Sequence, residues 1–185
     1  MDHIFLMVKA SSMKMKEANI IEIASIRTNG QLGSITKRSV LAAFTSDVSD
    51  FKSTVKELEK NILDKFDNKY VVVTHISDIT KTLLRNGYEK NNIKTELFDG
   101  RAWVDINQLA WPLVASGIIP NRQLQTIAKH FELAYSETDS ADLCTVLVNI
   151  YGHMMRQFKT ALIGEEAVRD FGGETFKNIR QMMGF

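Results

Sequence analysis

The chain is poor in the residues that most quickly reveal a protein's class. It holds one cysteine, Cys144, among 185 residues, so no disulfide can form within it. That thiol shares an apolar helical stripe with Leu143, Leu147 and Ile150, which predicts a core side chain rather than a nucleophile, in a reducing, cytoplasmic setting. Two prolines leave little room for rigid linkers, and neither a low-complexity segment nor an internal repeat is present. No apolar run reaches the length of a membrane span, and the start, MDHIFLMVKASS, lacks the basic and apolar regions of a signal peptide. An excess of one charge is missing too: 23 Lys+Arg against 22 Asp+Glu give +1, so the total demands no nucleic acid, membrane or acidic substrate. What is present, 44% hydrophobic and 24% charged residues, fits one globular domain with a real core.

Three strands are expected first: His3–Val8 (HIFLMV), Ile20–Arg27 (IIEIASIR) and Ser34–Phe44, with turn chemistry at Thr28-Asn29-Gly30. Ser49 or Asp50 can cap a helix running to about Phe66, with Phe51, Val55, Leu58, Ile62, Leu63 and Phe66 on one face. Tyr70–Thr74 (YVVVT) is apolar enough for a central strand. Ser77 is the expected cap of a helix from Asp78 to about Asn86, stopped by Gly87. Ala102–Asp105 is a fifth strand, followed by a helix with Leu109, Trp111 and Val114 that Pro112 should end or bend. The result is an α/β chain: a mixed sheet with one antiparallel strand, flanked by helices.

From Ile119 to Tyr151 the pattern is a short amphipathic helix, a small-polar turn and a longer apolar helix. Asp142 sits at the joint, one position into the apolar pattern, and an unpaired carboxylate buried there would cost several kcal/mol, roughly. In such sheets a site forms at the carboxyl ends of central strands. That brings Met7–Lys9, His75–Thr80 and the helix of Asp142 into question together.

The element order and these three places resemble the DEDDh 3′–5′ exonucleases, which have a ribonuclease H-like fold. This family includes the proofreading subunit of bacterial replicative DNA polymerase and ribonuclease T. The resemblance covers roughly residues 3 to 155 and rests on NIIEIASI (19–26), YVVVTHISDITKTLL (70–84), DINQLA (105–110), LQTIAKHFEL (124–133) and Ala141-Asp142. It implies a two-metal site for phosphodiester hydrolysis, held by four carboxylates with a histidine as general base. Carried over by position, the aspartate and glutamate of the first strand fall on Met7 and Lys9, the third acid on Thr80, the histidine on Glu137 and the last acid on Asp142. Only Asp142 matches.

Met7 is a poor ligand for a hard cation, and Lys9 repels one. The resemblance thus leads to a degenerate exonuclease fold, kept as a binding or interaction module for protein or nucleic acid, with no cofactor expected. Asp142 is expected to be structural, paired with Lys9 or hydrogen-bonded to the joint. The alternative is a working nuclease with magnesium or manganese on a rearranged cluster of Asp78, Glu137 and Asp142. The simpler reading makes Asp78 a helix-start acid, Glu137 a turn residue and Asp139 an N-cap.

His75 and His130 are read as structural, and Trp103 and Trp111 as packing on the sheet. Two basic groups, Lys14, Lys16, Arg27, Lys37 and Arg38, then Arg156, Lys159, Arg169, Lys177 and Arg180, are read as solvated surface rather than phosphate contacts. The exonuclease-like domain is expected to span 1–157. The tail, 158–185, carries Phe158, Phe171, Phe176, Met182, Met183 and Phe185, with two weak helical segments split by Gly172-Gly173. It is expected to dock on the domain or on a partner, as in a subunit of a replication, transcription or ribosome-associated assembly. The lost first motif and small size fit a fast-diverging source such as a virus or bacteriophage.

Overall fold

A computed structural model describes residues 2–12, 14, 17–29, 40–63, 70–94 and 98–169, with 40, 41 and 162–169 by backbone alone. Five strands form one sheet: β1 (Asp2–Ala10), β2 (Ile20–Thr28), β3 (Val40–Asp47), β4 (Tyr70–Thr74) and β5 (Ala102–Asp105). Their spatial order is β3-β2-β1-β4-β5, with β2 antiparallel to both neighbours and β1, β4 and β5 mutually parallel. The expected mixed sheet with one antiparallel strand is therefore present. β3 runs on to Asp47, beyond the predicted end at Phe44, because Thr45, Ser46 and Asp47 pair with Ala24, Ile23 and Glu22. The earlier part predicted for it, 34–39, lies outside the described residues, as do Gly30, Lys16, Lys37 and Arg38.

Each face of the sheet is covered. Ile4 and Leu6 of β1 turn to a core with Phe51, Val55 and Leu58 of α1 (Phe51–Leu58) and Leu83 and Leu84 of α2 (Ser77–Lys90). Phe5, between them in β1, turns to the opposite core with Ile127 of α5 (Leu124–His130) and Cys144, Leu147 and Ile150 of α6 (Ser140–Arg169). That alternation is the period of two of a strand buried on both sides. Cys144 is fully buried, as its stripe predicts, and its Sγ donates to the Phe5 carbonyl at 3.3 Å.

Four local expectations are corrected. The helix from Phe51 does not stay α-helical to Phe66: Glu59–Leu63 is a π-helical turn, and Phe66 lies outside the described residues. The Asn61 side-chain amide takes the Glu57 carbonyl at 2.9 Å, the acceptor that the Asn61 backbone N–H uses in an α-helix, and the turn widens. Gly87 does not end α2, which runs to Lys90; it lies inside the helix, against the Phe51 ring. The helix after β5 is broken at Ala110, ahead of Pro112, into α3 (Ile106–Leu109) and α4 (Trp111–Ala115). Pro112 sits in the first turn of α4, where a missing N–H costs nothing. Arg27 is no surface cation. It is 1% exposed, donates through Nε to Asp2 at 3.0 Å and through Nη1 to the Ile62 carbonyl at 3.1 Å.

α6 passes without a break through the boundary expected after residue 157, and Phe158 packs partly on the α5–α6 core. Phe171, Gly172-Gly173, Phe176, Lys177, Arg180, Met182, Met183 and Phe185 lie outside the described residues, and the side chain of Arg169 is likewise not described.

Candidate functional site

The carboxyl ends of β1, β4 and β5, the start of α2 and the α5–α6 joint meet in one region. Asp105, the last residue of β5, organises part of it. One carboxylate oxygen accepts from Gln108 N at 3.0 Å and caps α3; the other accepts from Ser77 N at 2.8 Å at the head of α2. This replaces the expected role of Ser77, which is helical itself and follows Ile76, an N-cap residue without a side-chain bond. A carboxylate from another strand meets the unpaired N–H and the positive end of the helix instead.

The position where the resemblance expects a third acid is closed. Thr80 is buried, its Oγ1 lies 3.0 Å from that of Thr74, and it donates to the Ile76 carbonyl at 3.1 Å. Asp78, two residues earlier, is exposed in the first turn of α2. His75 is a hydrogen-bonded structural histidine, with Nε2 at 3.1 Å from the Arg122 carbonyl, which also accepts from Asn107 at 3.1 Å. Burial holds the His75 imidazole below its ordinary pKa, while the Arg122 carbonyl and the Asp105 charge pull upward with less effect.

At the first motif, Met7 is half-buried against the α5–α6 core. Lys9 does not pair with Asp142. Its ammonium binds Glu22 Oε2 at 2.9 Å and donates to the Thr138 carbonyl in the α5–α6 joint. Register decides this: Lys9 and Glu22 are direct partners across the antiparallel β1–β2 ladder. Burial raises the Glu22 carboxyl, but the bond and charge of the Lys9 ammonium outweigh it, leaving the pKa lowered.

Asp142 is itself exposed, against the expectation of a buried acid. Its Oδ2 accepts from Ser136 N at 3.2 Å, which closes the turn before α6. Near the head of a helix its side chain leans back over the preceding turn, towards water and the positive helix end. Asp139 is the N-cap foreseen, accepting from Ala141 N at 2.8 Å and Asp142 N at 3.3 Å. Glu137 is exposed in the same turn.

These residues do not fit the metal pair that the fold family implies. Among the described residues, no three His, Cys, Asp or Glu side chains are grouped so as to hold a metal ion, so Asp78, Glu137 and Asp142 form no such cluster. The other positions named by the resemblance offer a thioether, an ammonium already engaged and a hydroxyl bonded internally.

Sequence reasoning missed two functional-looking features of the rim. Glu22, a strand residue in a polar–apolar alternation, gave no sign of facing Lys9. Trp111, expected to pack, is 56% exposed, with the Arg122 guanidinium 5.8 Å from its ring centre, and nearby Ile118 is 55% exposed. Trp103 does pack, half-buried beside the α1–α2 core.

The order of strands, the helices on both faces and the joint at Asp142 define the DEDDh 3′–5′ exonuclease fold of the ribonuclease H-like class. Solved structures share it at low identity. Cell-death related nuclease 4 aligns with a TM-score of 0.67 and 10% identity, over 84% of this chain and 64% of its own. A full-length 3′-exonuclease gives 0.63 and 14%, over 85% and 82%. The nuclease domain of 3′hExo, a DEDDh family member bound to rAMP, gives 0.59 and 14%, over 84% and 92%. The chain spans less than two thirds of cell-death related nuclease 4 and under half of exonuclease I. No protein-family model matches the chain, and no curated protein matches it in sequence. Likeness at these identities speaks for the fold. Among the described residues no helix is long and apolar enough to cross a membrane.

Proposed function

We propose that this chain is a catalytically degenerate exonuclease fold that works as a binding module for a protein or nucleic-acid partner. The observation that carries the reading is Lys9: where the family places an acid, its ammonium is bonded to Glu22 and to the Thr138 carbonyl. A divalent ion brought there would meet a fixed positive charge and find the Glu22 carboxylate taken by an existing ion pair. Thr80 adds to this, because its hydroxyl is occupied by Thr74 and Ile76. The rim supports a binding role: Trp111 and Ile118 are apolar surface beside Arg122, whose carbonyl is bonded to His75 and Asn107.

The purified chain is expected to leave single-stranded RNA and DNA intact in magnesium or manganese, and to take up neither ion at millimolar concentration in calorimetry. Degradation that disappears in Asp142→Ala would overturn the reading in favour of a rearranged acidic site.

A further inference from the structure

A second concavity lies at the other end of the sheet. β4 and β5 pair with Val71 opposite Ala102 and Thr74 opposite Asp105. The chain entering β5 is therefore at the amino ends of these strands, away from the cleft just described. Between this entry and the second half of α2 is a cavity of about 190 Å³, lined among others by Lys81, Arg85, Phe98, Asp99, Arg101 and Trp103.

Among the described residues its lining holds three cations, Lys81, Arg85 and Arg101, and one acid, Asp99. Lys81 and Arg85 are four residues apart on one face of α2, and neither has an ion-pair partner among the described residues. Like charges one helical turn apart repel, and an anion between them relieves that cost. Trp103 makes a wall: Phe98 meets it edge-on, with ring centres 5.9 Å apart at 82°, and the Lys81 ammonium rests 5.2 Å from its centre. The Arg85 guanidinium and the Lys81 ammonium are a donor set that a tetrahedral oxyanion takes, and Arg101, whose guanidinium lies 4.8 Å from the Tyr70 ring centre, adds its charge to the wall. The volume is below the roughly 300 Å³ of a pocket that encloses a whole small molecule, so a single group is taken.

We propose that this pocket binds a phosphate group, carried by a nucleotide or by the backbone of a nucleic-acid strand. The site is separate from the cleft, so its fate and that of the reading above are distinguishable.

The test uses the full chain with Trp111→Phe, which leaves Trp103 as the only tryptophan. Inorganic phosphate, adenosine monophosphate and a single-stranded oligonucleotide are titrated while Trp103 emission is followed. A saturable change is expected, weakened about tenfold or more by Arg85→Glu and by Lys81→Glu. Lys56→Glu, the same charge change on α1 away from this pocket, should leave binding unaltered. Arg85 is exposed, so its reversal spares the core, and an unchanged melting temperature checks this. Saturation by the mononucleotide as well as the strand identifies a nucleotide phosphate; saturation by the strand alone identifies the backbone. No saturable change with any of the three probes overturns the proposal, as does equal weakening by Arg85→Glu and Lys56→Glu.

Discussion

Lys9 and Glu22 hold together three pieces of chain that have no covalent reason to stay close: β1, β2 and the α5–α6 joint. Their side chains are 24% and 18% exposed, so the pair is screened less than a surface bridge. Removing one partner leaves the other half-desolvated and frees the Thr138 carbonyl. Lys9→Met is expected to lower stability by about 1–2 kcal/mol in urea unfolding, and Glu22→Gln by less, since an amide still accepts from the ammonium. Equal, negligible effects from both would mean the pair is spectator geometry. The pairing was out of reach of sequence reasoning because it depends on register across a loop of polar residues, with a bulge at Lys9/Ala10. Asp142 misled for the opposite reason. It is near the apolar stripe in sequence, but at the head of a helix a side chain escapes backwards into the turn, and Ser136 N was waiting there.

Among the elements, strands were the most legible. YVVVT and HIFLMV are short apolar runs with one physical solution, a strand covered on both faces, and they lie within β4 and β1. The LQTIAKHFEL segment was legible as well, because its period and small buried Ala128 fit a helix seated on the sheet. Ends of helices were not, because their causes are non-local. Gly87 is the clearest case: a Cβ there would sit 2.6 Å from the Phe51 ring, which is buried and edge-on to Tyr88. The glycine marks a close approach of α1 to α2, not a stop. Gly→Ala inside an exposed helix usually gains up to about 1 kcal/mol. Here Gly87→Ala is expected to cost about 1–3 kcal/mol by overpacking, and Phe51→Leu in the same chain should recover part of it. Thermal unfolding of the two variants decides; a stabilised Gly87→Ala would show that the ring moves aside freely.

At the scale of the whole molecule, folding stability should depend on pH through His3. The ring is 4% exposed and set 5.3 Å from the Tyr151 ring, with Nδ1 lacking a hydrogen-bond partner. Burial, opposed with less effect by the Asp2 charge, lowers its pKa from 6.5 to about 4. A histidine whose folded pKa is depressed binds its proton more readily when unfolded. Its contribution is therefore complete above pH 6.5 and is lost as pH falls towards about 4. The loss is at most about 3 kcal/mol. Glu22, also lowered, acts in the same direction. Urea unfolding across this range should show stability rising with pH, and His3→Phe should flatten the slope; a slope unchanged by that substitution would assign it elsewhere.

The single cysteine has a practical consequence for labelling. Cys144 is fully buried, bonded to Phe5, and burial pushes its thiol well above the usual range, so the folded chain should ignore maleimides and iodoacetamide. Any cysteine introduced on the surface then becomes the sole reactive position. Spin labels or fluorophores can be placed on the rim at Ile118, or beside the basic pocket, in a protein that keeps its native core.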